Sequence, residues 1–175
     1  MKALTPKTQK RMLIAIGTLV GLFLILWIVG MALPRMRQVQ LVVYFKAPPH
    51  KVYGAVADIK GQVHWRSDLK QVIWLEDSTW TEVPKRGTPI TFKATTQAAS
   101  QVFVMTIVAP QGLQGTWTGT FVATETGGTR LSFQEVISID APLGRLVSYV
   151  FFDLNAAMDR YVADLKQHLG EAIQP

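Results

Sequence analysis

Apolar residues recur at Leu143, Leu146, Val147, Val150, Phe151, Leu154, Met158, Tyr161, Val162, Leu165 and Leu169, in steps of three and four. That period is the stripe of an amphipathic helix, and Asp153, Asp159, Arg160, Asp164 and Lys166 fall mostly on its other faces. The pattern predicts one helix over Leu143–Gly170, roughly 40 Å long, far more than a helix needs to close a small core. So long an apolar stripe requires an equally long partner.

The chain between Leu69 and Ile139 supplies one. Strand signals recur at Lys70–Glu76, Trp80–Val83, Pro89–Thr96, Gln101–Ala109, Leu113–Thr124 and Thr129–Ile139. Between them stand the turn sequences Asp77-Ser78, Pro84-Lys85-Arg86-Gly87, Ala98-Ala99-Ser100, Pro110-Gln111-Gly112 and Thr126-Gly127-Gly128. Connections this short permit antiparallel hairpins only, because a parallel crossover needs a dozen residues or more. An earlier strand, Gln38–Phe45, ends at Ala47-Pro48-Pro49, which starts a helix running to Asp58 with Val52, Tyr53 and Val56 on its buried side. A short helical turn is expected at Ile59–Val63. The expected fold class is therefore α+β: a curved antiparallel sheet of seven strands gripping the long carboxy-terminal helix, with a hydrophobic cavity between them.

Strand parity assigns the faces. In Leu113–Thr124, Leu113, Gly115, Trp117, Gly119, Phe121 and Ala123 share one face, while Gln114, Thr116, Thr118, Thr120 and Thr124 face water. The glycines beside Trp117 and Phe121 suit strong curvature or an open space. In Thr129–Ile139, Leu131, Phe133, Ile137 and Ile139 point inward, and so does Glu135. A carboxylate in an apolar interior is costly unless partnered. Glu135 therefore either meets an Arg, Lys or Tyr, sits at a bulge that shifts the register, or faces a wet cavity where it holds a ligand's polar head. His64-Trp65-Arg66-Ser67-Asp68 forms a second mixed cluster: either a pocket rim with Arg66 as anion contact, or a capping Trp65 beside an Arg66–Asp68 pair. The candidate cavity residues are Trp65, Phe92, Phe103, Trp117, Phe121, Phe133, Glu135, Phe151, Leu154 and Met158.

Met12–Leu33 holds 22 residues without a charged side chain, enough for about 33 Å of helix and hence for the hydrocarbon core. Lys2, Lys7, Lys10 and Arg11 precede it, and Pro34 and Arg35 follow. This predicts a single-pass inner-membrane anchor with the amino terminus cytoplasmic and the globular part outside, a cleaved signal peptide being the alternative. The formal charge of +6 has the same origin. Six of the eighteen basic residues precede Gln38, and the remaining twelve balance all twelve acidic ones, so nucleic acid is not an expected partner. The expected organisation is a basic tail (1–11), an anchor (12–33), a linker (34–38) and a globular domain (39–175). With no cysteine there is no disulfide, thiol nucleophile or thiolate metal site, and no cofactor, metal or catalytic residue is assigned.

The order strand, two helices, six strands, long helix is similar to the helix-grip fold of the START-related (SRPBCC) superfamily. The likeness rests on Ala47-Pro48-Pro49 with Val52-Tyr53 and Asp58, on Trp65, and on Thr81-Glu82 before Gly87. Gly128-Thr129-Arg130-Leu131 with Glu135, and Pro142 before the last helix, complete it. One departure is Val63-His64 before Trp65, where relatives often carry proline. The superfamily includes lipid-transfer domains, plant pathogenesis-related allergens and polyketide cyclases, so the resemblance implies a pocket for a lipid or other hydrophobic small molecule. It transfers no catalytic residue. The leading expectation is a membrane-anchored carrier domain. A cyclase- or dehydratase-like enzyme with Glu135 or His64 as base, and an interaction module for an unknown envelope protein, are the alternatives; His50 and His168 have no sequence partner.

Overall fold

A computed structural model describes residues 6–98 and 101–172. The first five residues of the expected basic tail, and Ala99 and Ser100 of one expected turn, lie outside the described residues. The chain divides into two compact units. One comprises the chain up to Arg35 together with Ile139–Phe152, the other Met36–Ser138 together with the chain from Asp153 on.

The larger unit is an antiparallel sheet of seven strands in the order β1-β7-β6-β5-β4-β3-β2. Its strands are β1 (Met36–Phe45), β2 (Leu69–Trp74), β3 (Thr79–Pro84), β4 (Ile90–Ala98), β5 (Val102–Ala109), β6 (Leu113–Ala123) and β7 (Thr129–Ile139). Short turns make β2 to β7 a meander, and β1 pairs with β7 in unbroken register, Val39 opposite Glu135 and Leu41 opposite Phe133. The inward parity of Glu135 is therefore not produced by a bulge in that pair. Bulges do occur between β2 and β3 and between β4 and β5, where they increase local twist.

Two helices cover the inner face. Helix α2 (Pro49–Ala57) starts on the expected prolines and buries Val52 and Val56. A single 3-10 turn, Gly61–His64, follows it. Tyr53 of α2 sets its ring edge-on to Phe103 and Phe121 at centroid distances of 6.4 and 5.3 Å. Helix α4 (Leu154–His168) buries Leu154, Met158, Val162 and Leu165, the helical stripe predicted for the carboxy-terminal segment. Met158, Val162 and Leu165 share one core with Phe103, Trp117, Phe121, Leu131 and Phe133. Truncating Phe121 or Phe133, each almost wholly buried, removes about 3–5 kcal/mol of stability in typical cores.

Two details differ from the sequence reading. The apolar stripe does not run through one helix: α3 (Pro142–Phe151) ends, Phe152 is extended at φ −125° and ψ 103°, and α4 begins afresh. The cause is Asp153, whose carboxylate accepts hydrogen bonds from the amides of Asn155 (2.9 Å) and Ala156 (3.1 Å) and so caps a new helix. Beside Gly119 there is no open space, because the Trp117 indole folds over it. A Cβ there would come within 2.6 Å of that ring.

The smaller unit contains α1 (Pro6–Ala32) and α3. Helix α1 is long and apolar enough to cross a membrane, and nearly all of it is exposed. Its one buried residue is Gly30, where a Cβ would collide with the Pro142 carbonyl at the start of α3. Arg145 of α3 is buried and donates to the carbonyls of Ile139 (2.8 Å), Asp140 (2.7 Å) and Leu33 (3.5 Å). A guanidinium at Leu33 suits the carboxy-terminal, partially negative end of α1.

Candidate ligand-binding site

Burial falls off in the same direction along four neighbouring strands of the inner face. On β1, Val43 and Phe45 are buried while Val39 and Leu41 are only partly so. On β7 the change falls between Phe133 and Glu135, on β6 between Trp117 and Gly115, and on β5 between Phe103 and Met105. One half of the face is thus solid core. The other half, Val39, Glu135, Ile137, Leu113, Gly115, Met105 and Ile107, keeps partial exposure. Gly115 lets the strands close up there, since a Cβ would sit 2.8 Å from the Val136 carbonyl oxygen and the Ile107 side chain.

The boundary is an aromatic floor. Trp117 stacks on Phe133 with centroids 5.9 Å apart, and Tyr161 of α4 meets Trp117 edge-on at 6.2 Å. Trp65 in turn touches Tyr161 edge-on and stacks on His168, both at 5.5 Å. Trp80 lies fully buried between Trp74 and Phe92, 6.0 Å from each.

A polar cluster adjoins this floor. Arg66 donates to Glu82 at 2.7 Å, to Gln62 at 2.9 Å, and to both oxygens of Asp68 at 3.1 and 2.8 Å. Glu82 also accepts from the Trp80 indole N–H at 3.2 Å, and Gln62 donates to the Val56 carbonyl at 2.8 Å. Burial alone would lower the Arg66 pKa, but the Glu82 and Asp68 charges outweigh it and hold the guanidinium firmly protonated. Burial likewise works against ionised Asp68, yet its bonds to Arg66 keep the carboxyl below the usual range. Arg66 is thereby committed to internal partners rather than offered to an anion. Ser67 fastens the same loop to α4, its amide and hydroxyl both donating to Asp164 at 2.7 Å.

Glu135 stands differently. Among the described residues it makes no hydrogen bond or ion pair. Burial pushes its pKa up to about 7, the Arg66 charge pulls it down in part, and Glu82 adds to the upward push. At neutral pH such a group divides between carboxylic acid and carboxylate, so it both donates and accepts. Burial also pushes the Tyr161 hydroxyl well above its ordinary value, which keeps the phenol neutral.

Of the expected cavity residues, Phe103, Trp117, Phe121, Phe133, Leu154 and Met158 are buried in the larger unit, and Trp65, Phe92 and Glu135 are partly exposed there. Phe151 does not share that environment. It belongs to α3 and is 80% exposed, because the helix that was to carry it inward ends there. His50, His64 and His168 are exposed. Glu82 was missed as a core partner of Arg66, although its parity with Trp80 on β3 would have revealed it. Among the described residues no cluster of His, Cys, Asp and Glu is suited to a metal. A separate cleft of about 480 Å³ opens at the Tyr44–Lys46 end of β1 beside Lys166 and Glu171, but the Glu171 carboxylate is already bonded to the Ala47 amide at 2.8 Å.

With this geometry in hand, the sequence matches the polyketide cyclase / dehydrase and lipid transport family over residues 36–170. The chain belongs to that family. No curated protein matches the sequence. Among solved structures, a START superfamily protein from Mycobacterium smegmatis is similar at a TM-score of 0.61 and 11% identity, covering 76% of this chain and 97% of that one. The ZhuI aromatase/cyclase from Streptomyces sp. R1128 gives 0.60 and 14%, covering 76% and 93%. A norcoclaurine synthase point mutant from Thalictrum flavum gives 0.62 and 6%, also covering 76% and 93%. At these identities the likeness concerns the fold: the helix-grip arrangement predicted from the strand order is the one present.

Proposed function

We propose that the chain is a membrane-anchored binding or carrier domain for a lipid or other hydrophobic small molecule with an uncharged, hydrogen-bonding head. The observation that carries this reading is the half-open inner face, apolar on four strands and holding one unpartnered carboxyl, Glu135, at its boundary with the solid core. Apolar ligand surface would replace water against Val39, Ile107, Met105 and Ile137, contributing about 25 cal/mol per Å² buried. A protonated Glu135 would donate to a carbonyl, ester or hydroxyl oxygen, while a permanently anionic head would meet repulsion once Glu135 ionises. Helix α1 would hold the domain at the bilayer, raising the effective concentration of any lipid ligand. The excess of basic residues before the apolar run of α1 favours a cytoplasmic amino terminus with the domain on the other side.

The test is extraction and mass spectrometry of full-length protein purified in bilayer discs. Apolar molecules enriched over empty discs are expected in the parent and should be depleted in Ile107→Trp, which fills the open half. Identical contents in both proteins and in empty discs would overturn the reading. Glu135 with a pKa of about 7 also favours a second reading, acid–base chemistry on the same ligand. Under that reading Glu135→Gln retains the bound molecule and abolishes its conversion. If conversion proceeds unchanged, Glu135 is not the base.

A further inference from the structure

We propose that α3 is a second membrane-facing element, its Val147–Val150–Phe151 face lying against the lipid of the bilayer that α1 crosses. The inference rests on the reading of α1 as a membrane span and adds to it a site of lipid contact outside the single helix. Val147, Val150 and Phe151 are 55%, 62% and 80% exposed, and spacings of three and four place them on one side of the helix. Keeping such side chains in water forgoes about 1.5–3 kcal/mol apiece relative to full burial, so an uncovered face of this kind calls for an occupant.

Three observations select lipid as that occupant. Helix α3 packs against α1, and its first residue, Pro142, abuts Gly30, three positions before the end of the apolar run at Leu33. The short helix therefore starts at the level where α1 leaves the hydrocarbon, in continuity with a helix that is itself exposed and apolar. Its ten residues carry one charge, Arg145, which is 5% exposed and bonded to the carbonyls of Ile139, Asp140 and Leu33. No ionised group would have to leave water for the Val147–Phe151 face to enter the acyl boundary. Charges resume at Asp140 and Asp153, just beyond the two ends of the helix. An apolar face with its single cation turned away and bonded to backbone carbonyls, and with further charges only beyond its two ends, fits a helix lying in the interface plane.

The chain has no cysteine, so single labels can be placed on the full-length protein without further changes. Spin labels at Val147→Cys, Val150→Cys and Phe151→Cys, reconstituted in phosphatidylcholine vesicles, should relax faster with oxygen than with a water-soluble nickel chelate. They should share the oxygen preference of a label at Ile25→Cys on α1, to a smaller degree, and show the reverse of a label at Asp159→Cys on the exposed side of α4. All five label sites are exposed, so labelling leaves the core intact. A lipid-exposed label at Ile25 with water-exposed labels at 147, 150 and 151 would overturn the proposal and leave the anchor standing. Labels on α3 shielded from both relaxants would overturn it in favour of a protein partner or a second copy. A water-exposed label at Ile25 would overturn the anchor itself and the proposal with it.

Discussion

Glu135 has an ordinary carboxyl pKa of 4.5 in the unfolded chain and about 7 in the fold. Between those values the folded protein holds a proton that the unfolded chain has lost, so stability falls as pH rises through the window. Replacing Glu135 by Gln removes that dependence. Glu135→Gln should raise the Tm at pH 8 and leave it nearly unchanged at pH 4.5, as thermal unfolding at the two pH values would show. Arg66 poses the opposite case, a cation on which two carboxylates depend. Glu82 is 7% exposed and its charge is balanced by Arg66 at 2.7 Å. Arg66→Met should cost about 3–5 kcal/mol in denaturant unfolding, since it strands a buried charge. Adding Glu82→Gln to the same chain should restore much of that loss, because the orphaned charge then disappears.

At the scale of elements, the break between α3 and α4 rests on one side chain. Asp153→Ala should cost about 1 kcal/mol and speed amide exchange in the first turn of α4, as expected for loss of a helix cap. The strands were legible in the sequence because their signals are local: turn residues punctuate them, and parity on β6 and β7 separated Trp117, Phe121 and Phe133 from the threonines. Parity likewise exposed Glu135 as an inward carboxyl. The helix break was not legible, since Phe151, Leu154 and Met158 keep steps of three and four straight across it. Asp153, a residue type that caps helices, was its only mark. The outward face of α3 was hidden for another reason: an apolar stripe reads the same whether it meets a protein core or lipid. An open space against the inner face was expected, but which half it occupies could not be read, because Val39 and Val43 are the same residue type and differ only in what covers them.

For the molecule as a whole, the two units differ in what they expose. The larger is a sheet with its own core, and α1 in the smaller exposes apolar surface along nearly its full length. Detergent removal should therefore precipitate the full-length protein while its aromatic core stays intact, which light scattering together with near-ultraviolet circular dichroism would register. The sheet order has a consequence for synthesis. β1 pairs with β7 alone, and Val39 is joined to Glu135 across 96 positions of chain. At roughly 5–20 residues per second, a ribosome leaves the first strand without its neighbour for about 5–19 s. During that interval the alternating apolar residues of β1 have no strand to cover them, so slowing elongation should lengthen their exposure.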